Sequence, residues 1–153
     1  MTKDERIALI DEIWMQEFPA FVNDLEELER KYGSCVLESI LKTRGEKAER
    51  DWKVIAGAIG KNDIDALLGS LWTWCENSGY EFTVEREERS ARFRVTKCPL
   101  AEMARKTGME IWGKACYCDN DYGIVRGFNP SMKFTRTKTL MEGHDCCDHA
   151  YFE

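Results

Sequence analysis

The chain has no stretch approaching the roughly 20 consecutive apolar residues of a membrane-spanning helix. Its segment from Met1 to Glu12 mixes charges of both signs and lacks the apolar centre of a signal peptide. A cytoplasmic protein with no membrane partner is expected. Basic charge is also short: 22 Lys and Arg stand against 28 Asp and Glu, a net charge of −6. A nucleic-acid binder would show a basic footprint, and an anionic lipid surface would attract one, so neither is an expected partner. No Walker loop, GxGxxG, GxSxG or HExxH motif occurs, which removes most nucleotide, dinucleotide, serine-hydrolase and zincin readings. There is no paired CxxC, no internal repeat and no low-complexity segment.

What is present fits one globular domain spanning 1–153. Hydrophobic residues make up 43% and charged residues 33%, enough to bury a core without disulfide staples. The seven cysteines, in a reducing compartment, are expected to bind metal, catalyse or sit buried.

The pattern changes character near residue 79, dividing a helical part (1–78) from a sheet-and-helix part (79–153). Ile7, Ile10, Trp14, Phe18, Phe21, Leu25, Leu28 and Tyr32 step by three or four along one helical stripe. Pro19 inside that stripe should kink or split the helix, and Gly33 should end it. A second helix is expected from Ser34 to about Ile59, burying Val36, Ile40, Trp52, Ile55 and Ile59, with Gly45 as a weak point. Asp63 is a suitable N-cap for a third, which buries Ile64, Leu67, Leu68, Leu71, Trp72 and Cys75. After Gly79 the period becomes two: Tyr80, Phe82 and Val84, then Ala91, Phe93 and Val95, form a hairpin across Glu87 to Arg89. Pro99 suits the first position of another helical stretch with a joint at Gly108. A strand is expected from Met132 to Leu140 and a last one from Cys146 to Phe152. The fold class is α+β, with an antiparallel sheet of about four strands and the N-terminal helices and a helical insertion packed on one face.

Side chains able to do chemistry gather in the C-terminal third. Both histidines, His144 and His149, lie in the last ten residues, and five cysteines lie between Cys98 and Cys147. Cys118 and Asp121 are three apart, so a helix puts thiol and carboxylate on one face. A carboxylate disfavours a neighbouring thiolate, which makes a metal or a substrate cation their natural shared partner. The alternative is that Asp121 ends the helix while Cys118 faces the core. In the last strand Cys147, His149 and Tyr151 share one face. Cys98 precedes Pro99 at a helix N-terminus, where a thiol becomes more acidic, or it is a buried neighbour of the cap. Arg136, like Arg92 and Arg94, would hold a substrate carboxylate if it faced a pocket. Cys35 and Cys75 read as buried hydrophobes.

Cys98-Pro99-Leu100, Cys118 with Asp119 and Asp121, Gly127-Phe128-Asn129-Pro130, Arg136-Thr137-Lys138-Thr139-Leu140 and Gly143-His144-Asp145-Cys146-Cys147-Asp148 occur in this order. Together they make residues 80–153 resemble the L-2-amino-thiazoline-4-carboxylic acid hydrolase family. His149 stands where that family usually has an aromatic after Cys-Asp. More remotely the ending is similar to small-molecule-binding domains of the 4-vinyl reductase type, some with cysteine-bound zinc. The resemblance implies a hydrolase acting on a carbon–nitrogen bond of a small cyclic amidine and yielding an N-carbamoyl cysteine-type product. The expected catalytic residues are Cys118, Asp121, Cys98 and His149, with Arg136 anchoring the substrate. A divalent metal such as zinc would be held by Cys118, Asp121, His144 and Cys147. The alternatives are a non-catalytic binding domain with structural zinc and a redox sensor using Cys146-Cys147 or Cys116 and Cys118. A small-molecule substrate is the expected partner, and a homodimer through the first helix is compatible with its long stripe.

Overall fold

A computed structural model describes residues 1–153. Helix α1 spans Lys3–Tyr32, opened by a reciprocal capping box between Thr2 and Glu5. It runs unbroken through Pro19. The carbonyl that loses its donor there belongs to Met15, an exposed residue whose carbonyl can turn to water, so the helix is not split. The buried stripe narrows to Phe18, Val22 and Leu25, while Leu28 and Tyr32 are exposed.

Helix α2, Cys35–Ile59, buries no residue fully, against expectation; Ile59 and Val54 face water. It lies on the surface and packs against the helical segment Asn120–Phe128. Helix α3 comprises Ile64–Leu67, a π turn at Leu68–Trp72 and Thr73–Asn77, with Asp63 capping its first turn. Strands β1 (Glu81–Glu87) and β2 (Ser90–Lys97) form the hairpin. Helix α4 is Pro99–Thr107, closed by left-handed Gly108. Helix α5 comprises Glu110–Gly113, a π turn at Lys114–Cys118 and Asn120–Phe128. Strand β3 is Lys133–Thr135 and β4 is Cys147–Phe152.

The four strands form one antiparallel sheet in the order β1-β2-β4-β3. The period-two pattern places Ala91, Phe93 and Val95 opposite Tyr151, His149 and Cys147 on the face covered by helices. Arg92 and Arg94 fall on the open face. The fold is α+β, as the sequence pattern implies.

Strand β3 is much shorter than the expected Met132–Leu140 run. The backbone N–H groups beyond it find side-chain acceptors in place of a ladder. Asp148 Oδ1 accepts from Thr137 N at 2.8 Å and Lys138 N at 2.6 Å, and Cys147 Sγ accepts from Leu140 N at 3.2 Å. The segment therefore leaves the sheet after Thr135 and carries Arg136 inward.

Candidate active site

Both π turns face the same space. A π turn widens a helix by one residue and often marks a functional site. The turn in α3 brings Leu71 and Trp72 to a cavity of about 210 Å³; the turn in α5 brings Tyr117 and Cys118 to its other side. The covered sheet face closes it with Val95, Cys147, His149 and Tyr151. Only four lining residues are not hydrophobic: Asn120, Asp121, Arg136 and His149.

Three of them, Asp121, Arg136 and His149, are tied together. His149 Nε2 lies 3.1 Å from Asp121 Oδ2. Arg136 Nη1 donates to the same Asp121 oxygen and to the Cys118 carbonyl, the latter at 2.7 Å, while its Nη2 donates to Asp119 at 3.3 Å. The Arg136 side chain is only 4% exposed. Burial opposes its charge, but Asp121, helped by other neighbours, more than restores it. Because Asp121 accepts from Nε2–H, the neutral imidazole keeps its lone pair on Nδ1. That Nδ1 is buried without a partner. The ring is positioned by Trp72, whose indole stacks on Phe93 at 3.7 Å and meets His149 edge-on at 5.2 Å.

The cavity thiols are held in the neutral form. Burial pushes Cys75 up to about 12 and Cys147 up to about 11. Burial also raises Cys98, beside Tyr80, against weaker lowering by hydrogen bonds at the start of α4. Cys118 is raised furthest, by burial first and the Asp121 charge second, with Arg136 only partly opposing. The expected acidification of Cys98 by the helix N-terminus is thus overcome by desolvation.

Six of the residues singled out from sequence, Cys98, Cys118, Asp121, Arg136, Cys147 and His149, line this one cavity. His144 does not: it sits exposed in the turn before β4. The four residues named for zinc therefore do not assemble, and no three His, Cys, Asp or Glu side chains are grouped to hold a metal ion. Asp121 already faces Arg136 and His149, which supply the positive charge and the proton that its carboxylate needs. All seven cysteines are free. Arg136 differs from the expected anchor in that its charge already meets two carboxylates.

Trp72 and Asn120 are contributors that the sequence does not announce: Trp72 reads as core, and no motif singles out Asn120. Trp72 buries a polar N–H, a reason to expect a partner nearby. Asn120 Nδ2 donates to the Cys116 carbonyl at 2.6 Å, which fixes its amide orientation and leaves Oδ1 buried and unpaired. A larger and more open groove of about 540 Å³, bordered by Leu37, Arg105, Lys114 and Met141, contains none of the expected site residues.

The model of the L-2-amino-thiazoline-4-carboxylic acid hydrolase family matches residues 15–151, nearly the whole chain. No curated protein matches the chain.

Proposed function

Since the chain belongs to the L-2-amino-thiazoline-4-carboxylic acid hydrolase family, we propose that its cavity opens a small cyclic amidine by adding water to the carbon of the C=N bond. The observation that carries this reading is the Arg136–Asp121–His149 chain ending in an unpartnered imidazole Nδ1. In this mechanism His149 Nδ1 takes a proton from water as oxygen bonds to the amidine carbon, and Asp121 stabilises the imidazolium that forms. Arg136 holds Asp121 in place and pairs with its charge.

For a thiazoline ring, the tetrahedral carbon then collapses to a carbonyl with loss of the carbon–sulfur bond. The water oxygen becomes the carbamoyl oxygen. One of its protons ends on the ring nitrogen and the other on the departing sulfur, with His149 returning the proton it took. The C=N bond is thus the one attacked, and the C–S bond is the one that breaks. Neutral thiols nearby favour water over a cysteine as nucleophile, because only a thiolate attacks efficiently.

The test is turnover of 2-amino-2-thiazoline and of its 4-carboxylate, read as release of product thiol. His149→Gln should lower kcat by about 10²–10⁴, the range for a general base. Cys118→Ser should retain most of the rate. An unimpaired His149→Gln enzyme would sink the water route, and a dead but folded Cys118→Ser enzyme would transfer the chemistry to the thiol.

A further inference from the structure

The groove of about 540 Å³ shares a wall with the cavity. Lys114, Asp119 and Glu142 border the groove, and Asp119 also reaches Arg136, which lines the cavity. Arg136 thus stands between the two spaces with its guanidinium spread over two carboxylates. Nη1 serves Asp121 and the Cys118 carbonyl, and Nη2 serves Asp119. The mechanism uses the contact with Asp121. The contact with Asp119 has no part in it so far.

Asp119 is itself held. Lys114 Nζ lies 3.3 Å and 3.2 Å from its two oxygens, and 3.9 Å from Glu142 Oε1. Side chains five apart point to different sides of an α-helix, where partners three or four apart meet. The π turn Lys114–Cys118 removes that obstacle. Asp119 N–H donates to the Lys114 carbonyl at 3.0 Å, the i to i+5 bond of a π turn, and this brings the two residues into register. The widened turn therefore does more than bring Tyr117 and Cys118 to the cavity. It builds an ion pair in the groove wall and aims the paired carboxylate at Arg136.

That aim matters because an arginine left with one carboxylate tends to grip it with two parallel N–H bonds. With Nη2 on Asp119, Arg136 gives Asp121 only Nη1. The Asp121 oxygen that takes this bond is the one 3.1 Å from His149 Nε2. Without Asp119, the freed Nη2 would turn to the other Asp121 oxygen and rotate the carboxylate away from the imidazole.

We propose that Asp119, locked by Lys114 through the π register, is a positioning residue: it restricts Arg136 to a single N–H on Asp121 and so keeps Asp121 aligned with His149 Nε2. Its effect on rate rests on the water mechanism proposed above; its effect on the histidine does not.

The test reads the imidazole directly. The chain has two histidines, so ring ¹H–¹⁵N correlation at pH 8.5 shows two imidazoles, and His149→Gln assigns them. Wild-type His149 should carry its proton on Nε2 alone. Asp119→Ala should lose that single-tautomer signature and lower kcat about tenfold at unchanged KM. Asp119→Asn keeps an acceptor oxygen for Nη2 and should restore the signature. Wild-type ring signals in a folded Asp119→Ala protein overturn the proposal, even if its thermal midpoint falls. A wild-type His149 protonated on Nδ1 overturns it as well. If Asp119→Ala does not fold, Lys114→Met, altered only in the groove wall, decides on the same signals. Partial mixing of tautomers, with kcat lowered about two- to fivefold, supports the proposal, and wild-type signals overturn it. A wild-type protein that opens no thiazoline defeats the hydrolase reading and leaves the ring signals to decide this one. A His149-dependent enzyme whose Asp119→Ala form keeps wild-type kcat and ring signals defeats the positioning role alone.

Discussion

A buried thiol and an exposed thiol are different reagents, and this chain contains both. Cys35 is exposed at the start of α2, whereas Cys75, Cys98, Cys118 and Cys147 sit around the cavity and are shifted upward by burial. At pH 8 a thiol shifted to about 11 is thiolate to only roughly 0.1%. Iodoacetamide on the native protein at pH 8 should therefore modify Cys35 quickly and leave the cavity cysteines unmodified until denaturant is added, as read by peptide mass spectrometry. Rapid labelling of Cys118 would contradict the neutral thiol on which the water mechanism leans. The same shifts have a stability consequence. The folded state holds these protons to higher pH than the unfolded chain, whose thiols ionise near 8.5. Their linkage contribution is thus constant below that value, and stability falls as pH rises above it.

Between elements, α2 and α5 approach closely, and glycine makes it possible. A Cβ added at Gly123 would collide with the Gly45 carbonyl oxygen, and one at Gly127 with the Glu49 carbonyl oxygen. Gly45, which weakens α2 on propensity alone, thus lies at the crossing with α5. The contact matters for the site because Asn120 and Asp121 begin the helical segment that Gly123 and Gly127 seat. Gly127→Ala should cost about 1–3 kcal/mol, the usual penalty of overpacking, seen as a lower urea midpoint at unchanged slope. Gly57 provides the contrast. It lies in the same α2, a Cβ there meets nothing within 4 Å, and Gly57→Ala should stabilise by about 0.5–1 kcal/mol. Equal responses at the two positions would mean that helix propensity, not the α2–α5 approach, governs both.

At the scale of the whole molecule, the site is a meeting of α3, α5, β4 and the segment after β3, and these differ in how far a sequence announces them. Strands β1, β2 and β4 are written as strict alternation, which by itself puts Cys147, His149 and Tyr151 on one face. The three-residue step from Cys118 to Asp121 likewise placed a thiol and a carboxylate together. The pairing of Asp121 with His149 and Arg136 is long-range, and no spacing encodes it. Nor does periodicity reveal a π turn, which is why Trp72 reads as plain core and Asn120 is not singled out. The end of β3 was overrun for a related reason: alternation continues to Leu140, but side chains of β4 capture the backbone donors that a ladder would need. Asp148 is the main captor, and it links the stability of the sheet to the geometry of the site, since the segment it pins carries Arg136. Burial works against the Asp148 charge, yet the Thr137 hydroxyl and the backbone N–H groups of Lys138 and Thr137 hold its pKa below the ordinary carboxylate range. A carboxylate depressed in the folded state stabilises above its unfolded pKa of about 3.9, and that contribution is lost as pH falls through the folded value. Asp148→Ala should therefore cost about 1–3 kcal/mol at pH 7, where hydrogen-bonded partners are left unpaired. The gap to wild type should shrink as pH falls below about 4, where the unfolded chain takes up the proton before the folded carboxylate does. Urea unfolding at pH 7 and pH 3 measures both numbers. A gap that stays constant across that range would mean that Asp148 contributes through packing, and that the Arg136 segment is held in place by something other than its charge.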